Sequence, residues 1–388
     1  MKEDILIYNS SNPFLKGSPL STLEIEAFRN LKACRFSSHP KFNFFYGNNA
    51  QGKTSFIEAI YFLSELKSFR SQDLEPLISH NCDIAYLRAE LCIHGIAYDI
   101  KSSINAEGKE VFLNGKKPRP YSKIRQIFPM VLFTPDSIRL FRSSPGDRRS
   151  YFDRLFSLLS EDYEKTLDHY QKTLKQKQVL LDQYLETGNF IQDQLDVWNQ
   201  KIAIWGAELT FHRYRWAKKL EEKLNCAIQD LSKGEWKSAF KYEPYLMEIR
   251  EEDSVDIIEK KFIAEMEKRQ RDELVRGQAL VGPHRDDWVL SLGGHKLKEE
   301  GSQGQHRVSV AALKLSEVSL LEEMGKTPVA LFDDLLSELD YSRSQQMLET
   351  LSSCRCQVFL TSVTPLGLSL KGLEGMSYEV KNGKLINV

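Results

Sequence analysis

Two short segments of the sequence carry side chains that could bind and cleave a nucleoside triphosphate. Residues 47–54 fit the pattern G-x-x-x-x-G-K-[ST] of a phosphate-binding loop, the P-loop. In such a loop, backbone N–H groups surround the phosphates, the lysine neutralises the outer phosphates, and the hydroxyl binds Mg²⁺. The residues predicted to bind ATP here are Gly47, Asn48, Asn49, Ala50, Gln51, Gly52, Lys53 and Thr54.

The second segment is a pair of acids about 280 residues further along, where the apolar run 328–332 ends in Asp333 and Asp334. A carboxylate at the end of a buried strand can hold Mg²⁺ through water, and its neighbour can orient or deprotonate the attacking water. We therefore predict Thr54 and Asp333 as Mg²⁺ ligands, and Lys53 and Asp334 as catalytic residues. The alternative is that the acid pair only caps a helix, a position that Asp favours.

The sequence around both segments predicts the elements that must position them. Residues 42–46 form an apolar strand that runs into the P-loop, and residues 54–66 have the apolar spacing of a helix. This strand–loop–helix order is the setting that a P-loop requires. Further strands are predicted at 23–28 (half-buried or at an edge), 288–292, 328–332 and 357–362, and a further helix at 308–324.

The long interval between the two segments predicts an inserted region. Residues 85–113 alternate with period two between turn signals, which indicates an antiparallel meander. Residues 146–276 are poor in glycine and carry apolar stripes at helical spacing, broken at Gly188-Asn189 as in a helical hairpin. One stripe is Leu155, Leu158, Leu159, Tyr163, Leu167 and Tyr170, and the other is Leu195, Trp198, Ile202, Trp205, Leu209 and Trp216, with His212 as a packed core histidine.

Composition narrows the class of protein without identifying it. The 388 residues are 41% hydrophobic and 28% charged with a net charge of −1, so any nucleic-acid surface must be a local patch. No apolar run is long enough to cross a membrane, and residues 1–20 lack the features of a secretory signal and predict an irregular arm. Six scattered cysteines without a C-x-x-C pair indicate reduced, mostly buried thiols in a cytoplasmic protein.

Two more segments are typical of a particular kind of P-loop protein. Ser302-Gln303-Gly304-Gln305 precedes a predicted helix, where a hydroxyl and free N–H groups could bind an anion. The alternative is a flexible turn with a serine cap. Residues 337–340, Ser-Glu-Leu-Asp, form an acidic turn of the kind that crosses a dimer interface.

Together these motifs resemble the ATPase heads of the structural-maintenance-of-chromosomes class, and more specifically the RecF family. Segments 28–30, 135–153 and 280–287 carry the closer resemblance, and the matches run from Leu23 to Ser362. The resemblance implies an α/β fold: an ABC-type P-loop ATPase head, with a mixed sheet and an antiparallel meander lobe, and an inserted helical arm domain. We expect residues 1–145 and 277–388 to form the two parts of the head, and residues 146–276 the arm.

The resemblance also implies roles and partners. Ser302 and Gly304 would contact the γ-phosphate of ATP held by a second copy, and Ser337 and Asp340 would lie at the dimer interface. Such an ATP-dependent homodimer would clamp duplex DNA near single-strand gaps and help load a recombinase with RecR- and RecO-type mediators. Its weak, DNA-stimulated ATP hydrolysis would release it. His306 departs from the family pattern, which usually has glutamine there.

Two basic clusters are candidate DNA contacts, although a charged helix is usually only a solvated face. They comprise Arg139, Arg142, Arg148 and Arg149, and then Arg213, Arg215, Lys218 and Lys219. Arg148 and Arg149 could instead brace the ATP site or the arm. Two other classes of function stay open. One is a structural DNA tether, against which the short arm argues. The other is a P-loop enzyme: a kinase would not need residues 302–304, and a nuclease would need an extra acid cluster or Toprim-like segment that the sequence lacks.

Overall fold

The computed structural model describes residues 19–188, 192–246, 248–364 and 373–387. These residues form two compact units. The first contains the described residues up to Ile138 and from Val310 onward, and the second contains Arg139–Ser309. The arm predicted for residues 1–20 falls almost wholly outside the described residues.

The elements of both units follow in chain order. The strands are β1 (Leu20–Glu26), β2 (Cys34–Ser37), β3 (Phe42–Tyr46), β4 (Ala85–Ile93), β5 (Ile96–Ile104), β6 (Lys109–Leu113), β7 (Met130–Phe133), β8 (Ser238–Glu243), β9 (Asp287–Leu292), β10 (His295–Lys296), β11 (Val329–Phe332), β12 (Gln357–Ser362), β13 (Gly375–Lys381) and β14 (Lys384–Asn387). The helices are α1 (Lys53–Glu65), α2 (Ser122–Ile127), α3 (Pro145–Leu159), α4 (Glu161–Thr187), α5 (Gln192–Leu231), α6 (Val255–Arg276), α7 (Leu297–Glu300), α8 (Gln303–Glu323), α9 (Leu335–Glu338) and α10 (Tyr341–Ser353).

A six-stranded sheet in the first unit positions both nucleotide motifs. Its order is β14-β13-β3-β12-β11-β7, and all neighbours are parallel except β13 and β14. Phe44, Leu360 and Phe332 lie in register on β3, β12 and β11, so the carboxyl ends of these strands meet at one edge. The apolar strands predicted at 42–46, 328–332 and 357–362 are confirmed, because strands buried on both faces read as continuous apolar runs.

A five-stranded antiparallel sheet, in the order β2-β1-β4-β5-β6, completes the first unit. It contains the meander predicted for residues 85–113. The predicted edge or half-buried strand at 23–28 is instead β1, which lies between β2 and β4 and is buried along most of its length. Residues from α1 and both sheets share one hydrophobic core, so the P-loop helix is packed between them.

The second unit contains a helical hairpin formed by α4 and α5. Its antiparallel course follows from its contacts, since the His169 and Trp205 rings stack at 4.5 Å and Thr166 donates to Glu208 at 3.4 Å. Gly188 ends α4 with a φ of 67°, whereas Asn189, the other half of the predicted break, lies outside the described residues.

The first predicted stripe belongs to two helices instead of one. Ser160 adopts an extended conformation, ends α3 and caps α4 by accepting from the Tyr163 N–H. His212 is half-buried and lies 6.2 Å from the Tyr163 ring, and burial lowers its pKa. This agrees with a packed histidine.

Strand β8 interrupts the region predicted to be helical. It pairs with β9 in a three-stranded sheet and therefore joins residues on either side of position 276. The second unit extends to Ser309. The predicted arm limits of 146 and 276 consequently do not coincide with the limits of this unit, and the division into head and arm stays a prediction.

The cysteines differ from expectation. All six are free thiols, but only Cys356 is buried, while Cys82 and Cys226 are exposed and the others are half-buried. Within the described ranges, no helix is both long and apolar enough for a membrane span.

Candidate functional site

The P-loop follows β3, and its two glycines adopt conformations that other residues rarely do. Gly47 has a φ of 145°, and a Cβ there would lie 2.4 Å from the Val380 carbonyl oxygen. Gly52 has a φ of 110°, and its Cβ would lie 2.8 Å from Leu31 Cδ2. Both positions of the sequence pattern therefore require glycine, for conformation and for space.

The ammonium group of Lys53 lies inside the curve of the loop. Its Nζ donates to the carbonyl oxygens of Gly47 at 2.7 Å and Asn48 at 2.9 Å. Burial lowers the pKa of Lys53, and the nearby carboxylates of Asp334 and Asp333 oppose this shift. A phosphate that enters the loop thus meets a cation already held in place.

Three side chains from three elements meet beside the loop. Thr54 Oγ1, on α1, donates to the Asp333 carboxylate at 2.9 Å. Thr361 Oγ1, on β12, donates to Asp333 Oδ1 at 2.8 Å and accepts from the Asp334 N–H at 2.8 Å. Thr361 can join both acids because β12 lies between β3 and β11. The sequence predicted the strand that carries Thr361 but assigned the residue no role in the site.

The environment of Asp333 affects its protonation. Burial raises the pKa of Asp333, and its hydrogen bonds from Thr361 and Thr54 oppose this shift. The two hydroxyl donors therefore favour the ionised carboxylate that a metal ion requires.

Asp334 begins α9 with a φ of 53°, yet its side chain makes no capping hydrogen bond. The alternative that the acid pair only caps a helix is therefore not supported for this residue. Asp334 is half-buried and lines the same cleft as Lys53 and Thr54. A carboxylate in this position can contact a water molecule next to a bound phosphate.

The cleft has a volume of about 1510 Å³ and includes Arg70 on its wall. Glu58, fully buried on α1, holds two arginines at this end of the site. It accepts from Arg29 at 2.6 and 2.9 Å and from Arg70 at 3.3 Å. Glu58 could not be singled out from the sequence, because a lone acid in a helix usually faces solvent.

The residues present fit ATP with Mg²⁺. Hydroxyl and carboxylate oxygens are ligands that Mg²⁺ accepts, and Thr54 and Asp333 supply one of each within 3.0 Å. The P-loop adds the N-terminus of α1, where backbone N–H groups favour anions. This donor set matches a phosphate–metal pair.

In the second unit, Ser302 and Gly304 are exposed at the start of α8. Ser302 Oγ accepts from the Gln305 N–H at 3.2 Å, and Gln305 Oε1 accepts from the Ser302 N–H at 2.8 Å. The serine cap foreseen as an alternative is thus present, and it leaves the turn facing solvent. His306 is buried beneath the turn, and burial lowers its pKa to about 4.

Ser337 and Asp340, predicted at a dimer interface, are both exposed in the first unit. Ser337 Oγ donates to the Asp334 carbonyl at 2.9 Å, so the acidic turn is joined to the second acid of the pair. Asp340 caps α10 and pairs with Arg343 at 2.9 Å.

Two of the predicted DNA-contacting arginines are buried. Arg148 pairs with Asp287 at 2.5 Å, and Arg213 pairs with Asp153 at 2.8 Å and Asp286 at 3.1 Å. Both are 1% exposed. Their guanidinium groups are unavailable to phosphate, so we correct the prediction for these two and assign them to the packing of the second unit.

The other basic residues of these clusters reach the surface. Arg149 is half-buried and donates to the Asp286 carbonyl, while Arg142 is exposed and donates to the Gly301 carbonyl, each at 2.7 Å. Lys218 is exposed but pairs with Glu251 at 2.6 Å. The remaining exposed members are Arg139, Arg215 and Lys219.

Comparisons with known proteins identify relatives that match nearly the whole chain. The family described as "RecF/RecN/SMC N terminal domain" matches residues 19–371. The DNA replication and repair protein RecF of Geotalea uraniireducens (strain Rf4) is 32% identical, over 95% of this chain and 100% of that protein. RecF of Alkaliphilus oremlandii (strain OhILAs) is 33% identical, over 88% of this chain and 92% of that protein.

Solved structures show the same relationship. The recombination mediator protein RecF with ATP, in the RecFOR pathway, superposes with a TM-score of 0.86 at 28% identity, covering 98% of this chain and 100% of that one. An Smc head bound to the C-winged helix domain of ScpA has a TM-score of 0.54 at 13% identity, covering 95% and 97%. The latter shares the fold, which is that of an ABC-type ATPase head.

Proposed function

This chain belongs to the RecF family of DNA replication and repair proteins, and we propose that ATP joins two copies of it into a clamp on duplex DNA. One observation carries the proposal. Lys53 lies inside the P-loop and Thr54 donates to Asp333 beside it, while Ser302 and Gly304 are exposed at the start of a 21-residue helix. The N–H groups of such a turn suit the phosphate of ATP bound by another copy.

Different residues of the ATP site have different chemical roles. The P-loop N–H groups and Lys53 bind the phosphates. Thr54 and Asp333 would hold Mg²⁺, which would supply positive charge next to the phosphates. Asp334 accepts a proton from the attacking water. Arg70, held by Glu58, adds positive charge to the cleft wall.

The ATP-joined dimer is the DNA-binding form in this proposal. Ser302 and Gly304 contact the γ-phosphate in the second copy, and Ser337 and Asp340 lie at the interface. The exposed Arg139, Arg142, Arg215 and Lys219 are the remaining candidates for phosphate contacts with duplex DNA near gaps. Slow, DNA-stimulated hydrolysis then separates the dimer and releases the DNA.

The partners are inferred from relatives. The ATP-bound relative at 28% identity is described as a recombination mediator of the RecFOR pathway. We infer that this chain likewise acts with RecO- and RecR-type mediators to help load a recombinase at gaps.

The test is the affinity for gapped duplex DNA with ATP, with ADP and without nucleotide. We expect tight binding only with ATP, and loss of that gain in Lys53→Met, because the loop then lacks its cation. Lys123→Met removes an exposed lysine of α2 and is the control. Equal affinity under all conditions would refute the switch, and a monomer in the presence of ATP would favour a kinase-like enzyme.

A further inference from the structure

The turn between β13 and β14 lies against the P-loop. β13 pairs in parallel with β3, with Glu379 opposite Tyr46, so both strands end at the same edge of the sheet. Asn382 and Gly383 form the turn with φ values of 51° and 73°. Positive φ at both central residues is what a two-residue hairpin of this kind requires.

Gln51 of the P-loop accepts two hydrogen bonds from this turn. The Asn382 N–H donates to its side-chain Oε1 at 2.7 Å, and the Gly383 N–H donates to its carbonyl oxygen at 3.0 Å. The turn thus fixes the side chain and the backbone of one loop residue together. Gln51 immediately precedes Gly52 and Lys53, so its position affects where the backbone N–H groups of these two residues lie.

The turn can occupy this position only because residue 383 is glycine. A Cβ there would lie 2.1 Å from the backbone oxygen of Asn30, and the Gly383 carbonyl accepts from the Lys32 N–H at 2.9 Å. Asn30 in turn donates to the Ala50 carbonyl at 3.3 Å and accepts from Ser55 Oγ at 2.8 Å. The segment that the turn contacts is therefore itself bonded to the P-loop and to α1.

We propose that the Asn382-Gly383 turn is a positioning element for ATP binding, acting through Gln51. A loop ordered before the ligand arrives does not lose that conformational freedom on binding, and so binds more tightly. The turn does not contact the acid pair, so it affects nucleotide affinity and leaves the hydrolysis step unchanged. The inference rests on ATP binding at the P-loop, as in the proposed function.

Two alanine substitutions separate this role from a general loss of stability. Gly383→Ala places a Cβ against Asn30, whereas Gly95→Ala, in the β4–β5 turn, has a similar φ of 79° and nothing within 4 Å. We expect Gly383→Ala to weaken ATP binding about tenfold, measured by calorimetry, with kcat at saturating ATP retained. Gly95→Ala carries similar backbone strain and is expected to bind ATP like the parent chain.

A second variant and a second measurement cover the case in which Gly383→Ala does not fold. Gln51→Leu removes the side-chain amide that accepts from the Asn382 N–H but keeps the backbone acceptor of the Gly383 N–H, and it is expected to weaken ATP binding severalfold. Because coupling is reciprocal, ATP is also expected to slow hydrogen exchange at the amides of Asn382 and Gly383 in the parent chain.

The outcomes distinguish the inference from the proposed function. A parent chain that binds no ATP refutes both. A parent chain that binds ATP refutes the inference alone if Gly383→Ala and Gln51→Leu bind equally well. Equal losses in Gly383→Ala and Gly95→Ala also overturn it, since strain would then be the cause.

Discussion

Asp333 accepts hydrogen bonds from hydroxyl groups on two different elements, Thr54 on α1 and Thr361 on β12. Neither hydroxyl alone would fix the carboxylate, because a single bond leaves it free to rotate. Two donors on separate elements hold it in one orientation. Thr361 also binds the Asp334 N–H, so one hydroxyl sets the positions of both acids.

Asp334→Asn tests the assignment of the base. The amide keeps the size of the side chain but cannot accept the proton of water, so we expect hydrolysis to fall by about 10²-fold or more while ATP still binds. ATP-bound dimers should then accumulate, as measured by size-exclusion chromatography with light scattering. Glu349→Gln, an exposed change on α10, is the control. A variant that still hydrolyses ATP and dissociates would exclude Asp334 as the base.

At the scale of elements, the basic clusters show why neighbouring residues have different roles. Arg213 and Arg215 are two positions apart on α5, which turns about 100° per residue, so they face nearly opposite sides. Arg213 is buried among Asp153 and Asp286, while Arg215 is exposed. The sequence marks both as basic but cannot show which face packs.

The segment 282–285 lies between α6 and β9 in the chain and contains a half-buried histidine. His284 Nδ1 lies 2.6 Å from the Tyr170 hydroxyl, and its Nε2 lies 3.0 Å from the Ala279 carbonyl oxygen. Burial lowers its pKa from 6.5 to about 4, and nearby Arg285, Lys177 and Arg149 add to the shift. Between those pH values the unfolded chain binds more protons than the folded chain.

The stability that His284 contributes is therefore present above pH 6.5 and lost as the pH falls towards 4. We expect this residue to account for about 2 kcal/mol of the free energy of unfolding lost between pH 7 and pH 5. Urea unfolding at both pH values should show a smaller loss in His284→Gln than in the parent chain. His80→Gln, at an exposed position, should retain the parent's loss, and equal losses in all three would contradict the assignment.

Prediction from the sequence succeeded where local composition determines the structure. β3, β11 and β12 are apolar on both faces, so their runs are readable, and the P-loop has a fixed pattern. β8 was missed because six alternating residues within a long helical region give a weak signal, and its partner β9 lies over 40 residues away. Thr361 and Glu58 were missed because their roles depend on partners from other elements.

At the scale of the whole molecule, the proposed clamp depends on residues that act in a second copy. Ser302→Arg would place a bulky cation on the exposed turn before α8, away from the P-loop in sequence. We expect ATP to bind nearly as in the parent chain, while ATP-dependent dimerisation and hydrolysis are lost. Sizing with and without ATP, together with calorimetry, measures both effects.

A matched control at another exposed helix start shows whether the loss of dimerisation comes from the turn before α8 or from any Ser→Arg change. Ser254→Arg, at the exposed N-cap of α6, is the control and should dimerise normally with ATP. If Ser302→Arg abolished ATP binding itself, the composite site would be wrong.

The strand order of the six-stranded sheet has a consequence for synthesis of the chain. The two neighbours of β3 in the sheet are β12 and β13. The ribosome synthesises both of them more than 300 residues after β3. At usual rates of translation, the strand that carries the P-loop waits roughly 15 to 60 seconds for its partners. A chain that stopped before residue 357 would expose an unpaired apolar strand, a hazard for aggregation and a mark for chaperones and proteases. Only chains translated through β13 therefore contain both strands that flank the strand leading into the P-loop.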